Sequence, residues 1–304
     1  MNIRTRLLPG AASPTEAGAD TRTEASRWAG RAGQENFPVA LRLLPAGRRD
    51  DLMRIYRYAR SVDDIGDEPG VPDRLAALDA VAADVTLLAA TGRADLPFVD
   101  GLAPLLGRGV PAEPLLDLVE ANRRDQIVTS YDSWQELLGY CHLSADPVGR
   151  LVLAVFDVSG ADRLAASDKV CTALQIVEHL QDVAEDRARG RRYLPAEDMD
   201  AHGVSDSDLD AASASPALRA LAAELAWRAR TLLAQGLTLS AGLSGPPRLA
   251  VAAFTGGGLA ALDGLAAAGY DVLAPPRRTP RSRIAVRTAG LLLGAGHTGR
   301  GGQA

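Results

Sequence analysis

Lysine is almost missing from this chain: Lys169 is the single example in 304 residues, so arginine carries nearly all of the 33 positive charges. Aromatic residues make up only 4 %, and there are two cysteines, Cys141 and Cys171. Few aromatics beside abundant Ala, Leu and Gly argue against a β-rich design and for helices packed closely through small side chains. Two cysteines in helix-like apolar surroundings, without metal-ligand spacing, exclude a disulfide scaffold and fit a reducing cytosol. No run approaches the ~18 apolar residues of a membrane span. Leu7-Leu8 before Pro9 is too short for the apolar core of a signal peptide. The expected location is therefore cytoplasmic. A net charge of −5 with dispersed arginines gives no global attraction to nucleic acid.

The chain holds 47 % hydrophobic and 23 % charged residues, which is enough for a sizeable core. Residues 1–27 lack apolar periodicity and are expected to form a disordered tail. Helical periodicity then predicts one all-α domain over 28–274, followed by a basic, loosely ordered tail over 275–304. Helices are expected from about residue 50 to 67, and over 73–91, 112–128, 133–142, 147–158, 168–188, 216–242 and 247–268, with a small one over 283–295. Residues 196–215 read as loop with at most a short helix near 206–212. Asp146 before Pro147 reads as a helix cap.

Two acidic motifs stand out, Asp63-Asp64-Ile65-Gly66-Asp67 and Asp182-Val183-Ala184-Glu185-Asp186. In each, aspartates four residues apart share a helix face at roughly 5–6 Å, a spacing suited to a shared divalent cation. Asp63 and Asp67 continue a stripe through Leu52, Ile55, Tyr56, Ala59 and Val62. In the second helix apolar side chains cover most of the circumference, and Gln175, Glu178, Asp182 and Asp186 form the remaining stripe. Burying that stripe costs several kcal/mol unless something pairs it. If the two helices face each other, they form a cage for metal ions and a diphosphate.

The surrounding residues resemble the trans-isoprenyl diphosphate synthases of squalene/phytoene-synthase type, over about residues 30–275. Tyr56 and Arg60 precede the first motif as in that family, and Arg191 and Tyr193 follow the second in the segment Arg189 to Pro195. Glu35-Asn36-Phe37-Pro38-Val39-Ala40, the Tyr140 to Arg150 segment and Leu180-Gln181-Asp182-Val183 look like a hopanoid-pathway branch. The resemblance implies a class I isoprenoid synthase bundle with a central apolar cavity. It implies Mg²⁺, two or three ions bound with the diphosphate on Asp63, Asp67, Asp182 and Asp186. Tyr56 and Arg60 would act with those carboxylates, and Phe37, Gln175, Glu178, Gln181, Arg191 and Tyr193 would contact a prenyl diphosphate substrate. The implied reaction is ionisation of presqualene diphosphate and capture by water to give hydroxysqualene, without NADPH. Gln181 stands where enzymes joining two prenyl diphosphates usually carry arginine, and Glu178 where the family usually has asparagine.

Other features have plainer readings. His142, His179, His202 and His297 lack paired-ligand spacing and read as structural or solvent-exposed. The absence of Glu-x-x-His pairs argues against a di-iron carboxylate bundle. A catalytically silent interaction partner is a second reading from another class. Arginines over 187–192 lie beside the acidic motif and fit a diphosphate-contacting flap better than a nucleic-acid patch. Thr255-Gly256-Gly257-Gly258 reads as close helix packing, because no strand precedes it. Residues 277–287, followed by Leu291-Leu292-Leu293, read either as a peripheral membrane contact or as a frayed surface helix.

Overall fold

The computed structural model describes residues 44–68, 70–275 and 279–294. Phe37, the rest of its motif, and the start expected near residue 28 lie outside the described residues. Fourteen helices and one isolated bridge make up the secondary structure among the described residues, so the all-α expectation holds. The helices fall into two compact units divided between Ile127 and Val128.

The first unit contains α1 (Ala46–Asp67), α2 (Arg74–Thr91), the single turns α3 (Pro97–Asp100) and α4 (Ala103–Leu106), and α5 (Glu113–Arg124). Asp73 caps α2 by accepting from the Ala76 amide at 3.0 Å. Its core is built by Leu52, Ile55, Tyr58, Val62 and Ile65 of α1 against Leu78, Val85, Leu115 and Val119. Each such side chain contributes roughly 2 kcal/mol when fully buried. Tyr58 is wholly enclosed and donates its hydroxyl to the Leu115 carbonyl at 2.9 Å. The two turns α3 and α4 were unforeseen. They are too short to show helical periodicity, and buried Asp84 helps place α3 by accepting from the Asp95 and Leu96 amides, each at 2.8 Å.

The second unit contains α6 (Trp134–Ser144), α7 (Asp146–Val155), α8 (Ala161–Gln181), α9 (Val183–Ala188), α10 (Ala196–His202), α11 (Asp206–Leu209), α12 (Pro216–Ala241), α13 (Gly245–Ala267) and α14 (Arg281–Gly294). Helix α8 is central: Ala173, Ile176, Val177 and Leu180 pack with Leu218, Leu221, Leu225 and Leu233 of α12. Small residues permit the close approaches. A Cβ on Gly236 would come within 2.3 Å of Val170, and one on Gly258 within 2.6 Å of Leu174. Packing is thus the role of Gly256 and Gly258 after Thr255.

Several expectations change here. Residues 196–202 are helical, not loop, because Arg228 of α12 grips buried Asp198 through two hydrogen bonds of 2.9 and 2.7 Å. Asp146 is no cap; its buried carboxylate accepts from Thr172 at 2.9 Å and pairs with His142 at 3.1 Å. The small helix expected over 283–295 is present as residues 281–294 and packs on α13. Finally, α13 is long and apolar enough by composition to cross a membrane, but 56 % of that window is buried within the protein, as in a core helix.

Candidate functional site: two acidic helix turns

In the first unit the acidic motif lies beside the core stripe of α1, not within it. The buried positions are Asp51, Leu52, Ile55, Tyr58, Val62, Ile65 and Gly66, whereas Tyr56, Arg60 and Asp63 are half-buried and Asp67 is exposed. At 100° per residue these four share a strip along the edge of the core face. Asp63 accepts from Asn122 Nδ2 at 3.1 Å, and Asn122 is itself anchored to the Leu118 carbonyl at 3.1 Å. Burial raises the Asp63 pKa to about 6, opposed by the Asn122 bond and by Arg60. Arg60 pairs with Asp64 one turn on, at 3.0 Å. Gln126 donates to the Gly66 carbonyl at 3.2 Å, and Arg74 to the Asp67 and Glu68 carbonyls at 3.3 and 3.2 Å, holding the end of α1.

Asn122 was missed from the sequence. A polar residue on the inner face of α5, one turn after Leu118, was the available signal.

In the second unit the expected 168–188 helix begins earlier, after Gly160, and is distorted at Asp182, whose φ and ψ are −108° and 11°. Bonding continues through the distortion: the Asp182 amide donates to Glu178 at 3.0 Å and the Asp186 amide to Asp182 at 2.8 Å. The aspartates therefore remain one turn apart. Only Asp186 of the polar stripe is buried; Gln175 and Asp182 are half-buried and Glu178 is exposed. The stripe thus costs less than full burial would, and Glu178 departs from the expected buried position. Gln181 also points elsewhere. It lines a cavity of about 270 Å³ with Leu180, Ala261, Asp271 and Arg283, whereas Asp186 lines a small cleft with His179, Arg191 and Tyr193.

Asp186 is buried and poorly compensated. Its Oδ2 is buried with no hydrogen-bond donor, and its pKa rises to about 7 through burial and neighbouring Asp182, against Arg189 and Arg191. Burial likewise raises the pKa of Asp182. Gly190, at φ 78°, reverses the chain so that the Arg191 amide donates to the Asp186 carbonyl at 2.8 Å. The strand-like bond from the Arg192 amide to Thr129, at 2.8 Å, then fixes the following segment.

Tyr193 is buried and stacked on His179, ring centroids 3.9 Å apart and planes 10° apart, with Tyr131 and Tyr140 alongside. His179 is held neutral, its pKa lowered to about 3 by burial. In the unfolded chain it protonates near pH 6.5, so the stability it supports is intact above that value and lost as pH falls toward 3. The expected slope is about 1.4 kcal/mol per pH unit. Urea unfolding at several pH values should show this slope as the difference between wild type and His179→Phe; parallel curves would contradict it.

Hard carboxylate oxygens with raised pKa values, one lacking any protein donor, suit Mg²⁺ in chemistry. Among the described residues, however, no three His, Cys, Asp or Glu side chains converge on a ready-made metal cage.

A helical chain with an acid-rich turn in each unit has the fold of the helical isoprenoid synthases, and comparison with known proteins agrees. The dehydrosqualene synthase structure superposes with TM-score 0.80 over 90 % of this chain and 96 % of that one, at 21 % identity, a likeness of fold. The chain belongs to the squalene/phytoene synthase family, whose sequence profile matches residues 31–285. It is 38 % identical to the hydroxysqualene synthase of Rhodopseudomonas palustris over 68 % of this chain and 70 % of that protein. It is 35 % identical to the phytoene synthase of Thermus thermophilus over 80 % and 83 %. The structure of squalene synthase HpnC from Alicyclobacillus acidocaldarius matches with TM-score 0.75 and 37 % identity, over 85 % of this chain and 97 % of that one.

Proposed function

We propose that the protein ionises presqualene diphosphate in a Mg²⁺-dependent reaction and adds water, giving hydroxysqualene and diphosphate. The observation that carries the metal requirement is Asp186, a buried carboxylate with an unpartnered oxygen beside a second acid. The choice of product is supported by hydroxysqualene synthases among the relatives at 36–38 % identity.

In this reading Asp63, Asp67, Asp182 and Asp186 hold two or three Mg²⁺ ions for one substrate diphosphate. When bound, Mg²⁺ neutralises the negative charge that develops on the leaving diphosphate. Asn122 keeps the Asp63 carboxylate oriented through its 3.1 Å bond. Arg191, Arg60 and Tyr56 contact the diphosphate, the first brought close to Asp186 by the Gly190 turn. Tyr193 anchors that turn through its stack on His179. Gln175 and Glu178 line the approach to Asp182, and Gln181 acts from the neighbouring cavity. The C–O bond to diphosphate breaks, the rearranged carbocation takes the oxygen of one water, and one proton is released, so no reductant is consumed.

A second reading has specific support: presqualene diphosphate synthases at 31–32 % identity and the Thermus phytoene synthase at 35 % are also among the relatives. The protein would then join two farnesyl diphosphates head to head, giving presqualene diphosphate or squalene. Purified protein given presqualene diphosphate and Mg²⁺ without NADPH should yield hydroxysqualene. Unreacted presqualene diphosphate, with a head-to-head product formed from farnesyl diphosphate, would favour the second reading.

A further inference from the structure

We infer that α14 is a docking element for the surface of an anionic lipid bilayer. The helix is apolar on two sides, and among the described residues only one is covered. Its inner side packs on α13 through buried Ile284, through Thr288 against Gly256, and through Arg248 donating to the Leu292 carbonyl at 2.7 Å. A Cβ on Gly256 would lie 2.8 Å from the Thr288 amide, so this seam is fixed and does not present the inner side elsewhere. On the opposite side Val286 and Leu293 are 70 % and 75 % exposed, and Ala289 between them is exposed too. These three positions recur at three- and four-residue spacing and form a continuous outward stripe.

A surface helix with its core face already packed normally turns polar side chains outward. Here the outward stripe is apolar, and the charges on the helix itself are all positive, with Arg287 paired to Asp263 of α13 at 2.8 Å. After Asp271 the chain carries six arginines and not one Asp or Glu, although the whole chain is net −5. Arg283 lies exposed beside the stripe. An apolar stripe flanked by cations, on a protein otherwise acidic, is complementary to an anionic headgroup layer over hydrocarbon.

Vesicle binding is read without substrate, so it is independent of the reaction proposed above. Full-length protein is sedimented with vesicles of phosphatidylcholine containing phosphatidylglycerol, and with phosphatidylcholine alone, at low and high salt. Wild type should sediment with the anionic vesicles and be released by salt. Val286→Ser/Leu293→Ser should bind roughly tenfold more weakly and Arg283→Ser roughly fivefold. Both variants change exposed side chains and should melt as wild type does; if the double variant melts lower, Arg283→Ser decides. Equal sedimentation with both vesicle types, or wild-type binding by the variants, would overturn the inference. So would sedimentation velocity showing a wild-type dimer that the double variant loses while neither binds vesicles, or binding to single-stranded oligonucleotide in preference to anionic vesicles.

Discussion

Asp186→Asn is expected to lower turnover on the order of 10³-fold, about 4 kcal/mol in the barrier, while leaving the fold at least as stable as before. The two effects have one cause. Asp186 is buried with an unpartnered oxygen, and burial and neighbouring Asp182 raise its pKa to about 7 against the attraction of Arg189 and Arg191. An uncompensated acid of this kind destabilises a metal-free protein, so the neutral amide relieves the fold. The same replacement removes an anionic ligand from the proposed metal set. A residue kept for structure would behave in the opposite way, with lower melting temperature and little direct effect on turnover. Melting curves and kcat for the one variant separate the two roles.

The next largest effect is expected at Gly66. A methyl group there would sit 2.3 Å from Asn122 Oδ1, so Gly66→Ala must displace the amide that holds Asp63. The expected loss in kcat/KM is 10- to 100-fold, the range for disturbing a group that orients a metal ligand. Overpacking adds roughly 1–3 kcal/mol of destabilisation. The double variant Gly66→Ala/Asn122→Ala makes room for the methyl group and should recover much of the stability without recovering activity. Recovery of both would mean that Asn122 does nothing for Asp63 beyond filling space.

The fold was legible where helices are long and one-sided. The α2, α5, α6 and α12 segments followed from 3.6-residue periodicity and Gly or Pro boundaries, because packing along one face dictates both pattern and helix. The single turns α3 and α4 escaped, since four residues show no period, and α10 escaped because Arg228 contributes the Asp198 contact from about 30 residues away. Nothing in composition marks the step between Ile127 and Val128, where the helices divide into two compact units. Family membership was legible in the acidic motifs and their flanks, since each carries several residue types at fixed spacing.

The candidate site was only partly legible. Sequence spacing correctly put Asp182 and Asp186 one turn apart, and the hydrogen bonds keep that turn despite the distortion at Asp182. Spacing alone could not tell that Glu178 is exposed, that Asp67 is exposed at the end of α1, or that Gln181 lines a different cavity from Asp186. Those outcomes depend on which neighbours cover each face. His179 was read as structural, and its stack on Tyr193 gives that reading a purpose, because it secures the segment that brings Arg191 to Asp186.

The central claim is that one diphosphate leaves and one water is added. Turnover of presqualene diphosphate in H₂¹⁸O, with Mg²⁺ and without NADPH, tests it by mass spectrometry of the alcohol and assay of released diphosphate. The account predicts one ¹⁸O in each hydroxysqualene and one diphosphate released per molecule consumed. Hydroxysqualene lacking the label, or presqualene diphosphate recovered intact by protein that is folded and Mg²⁺-replete, would contradict it.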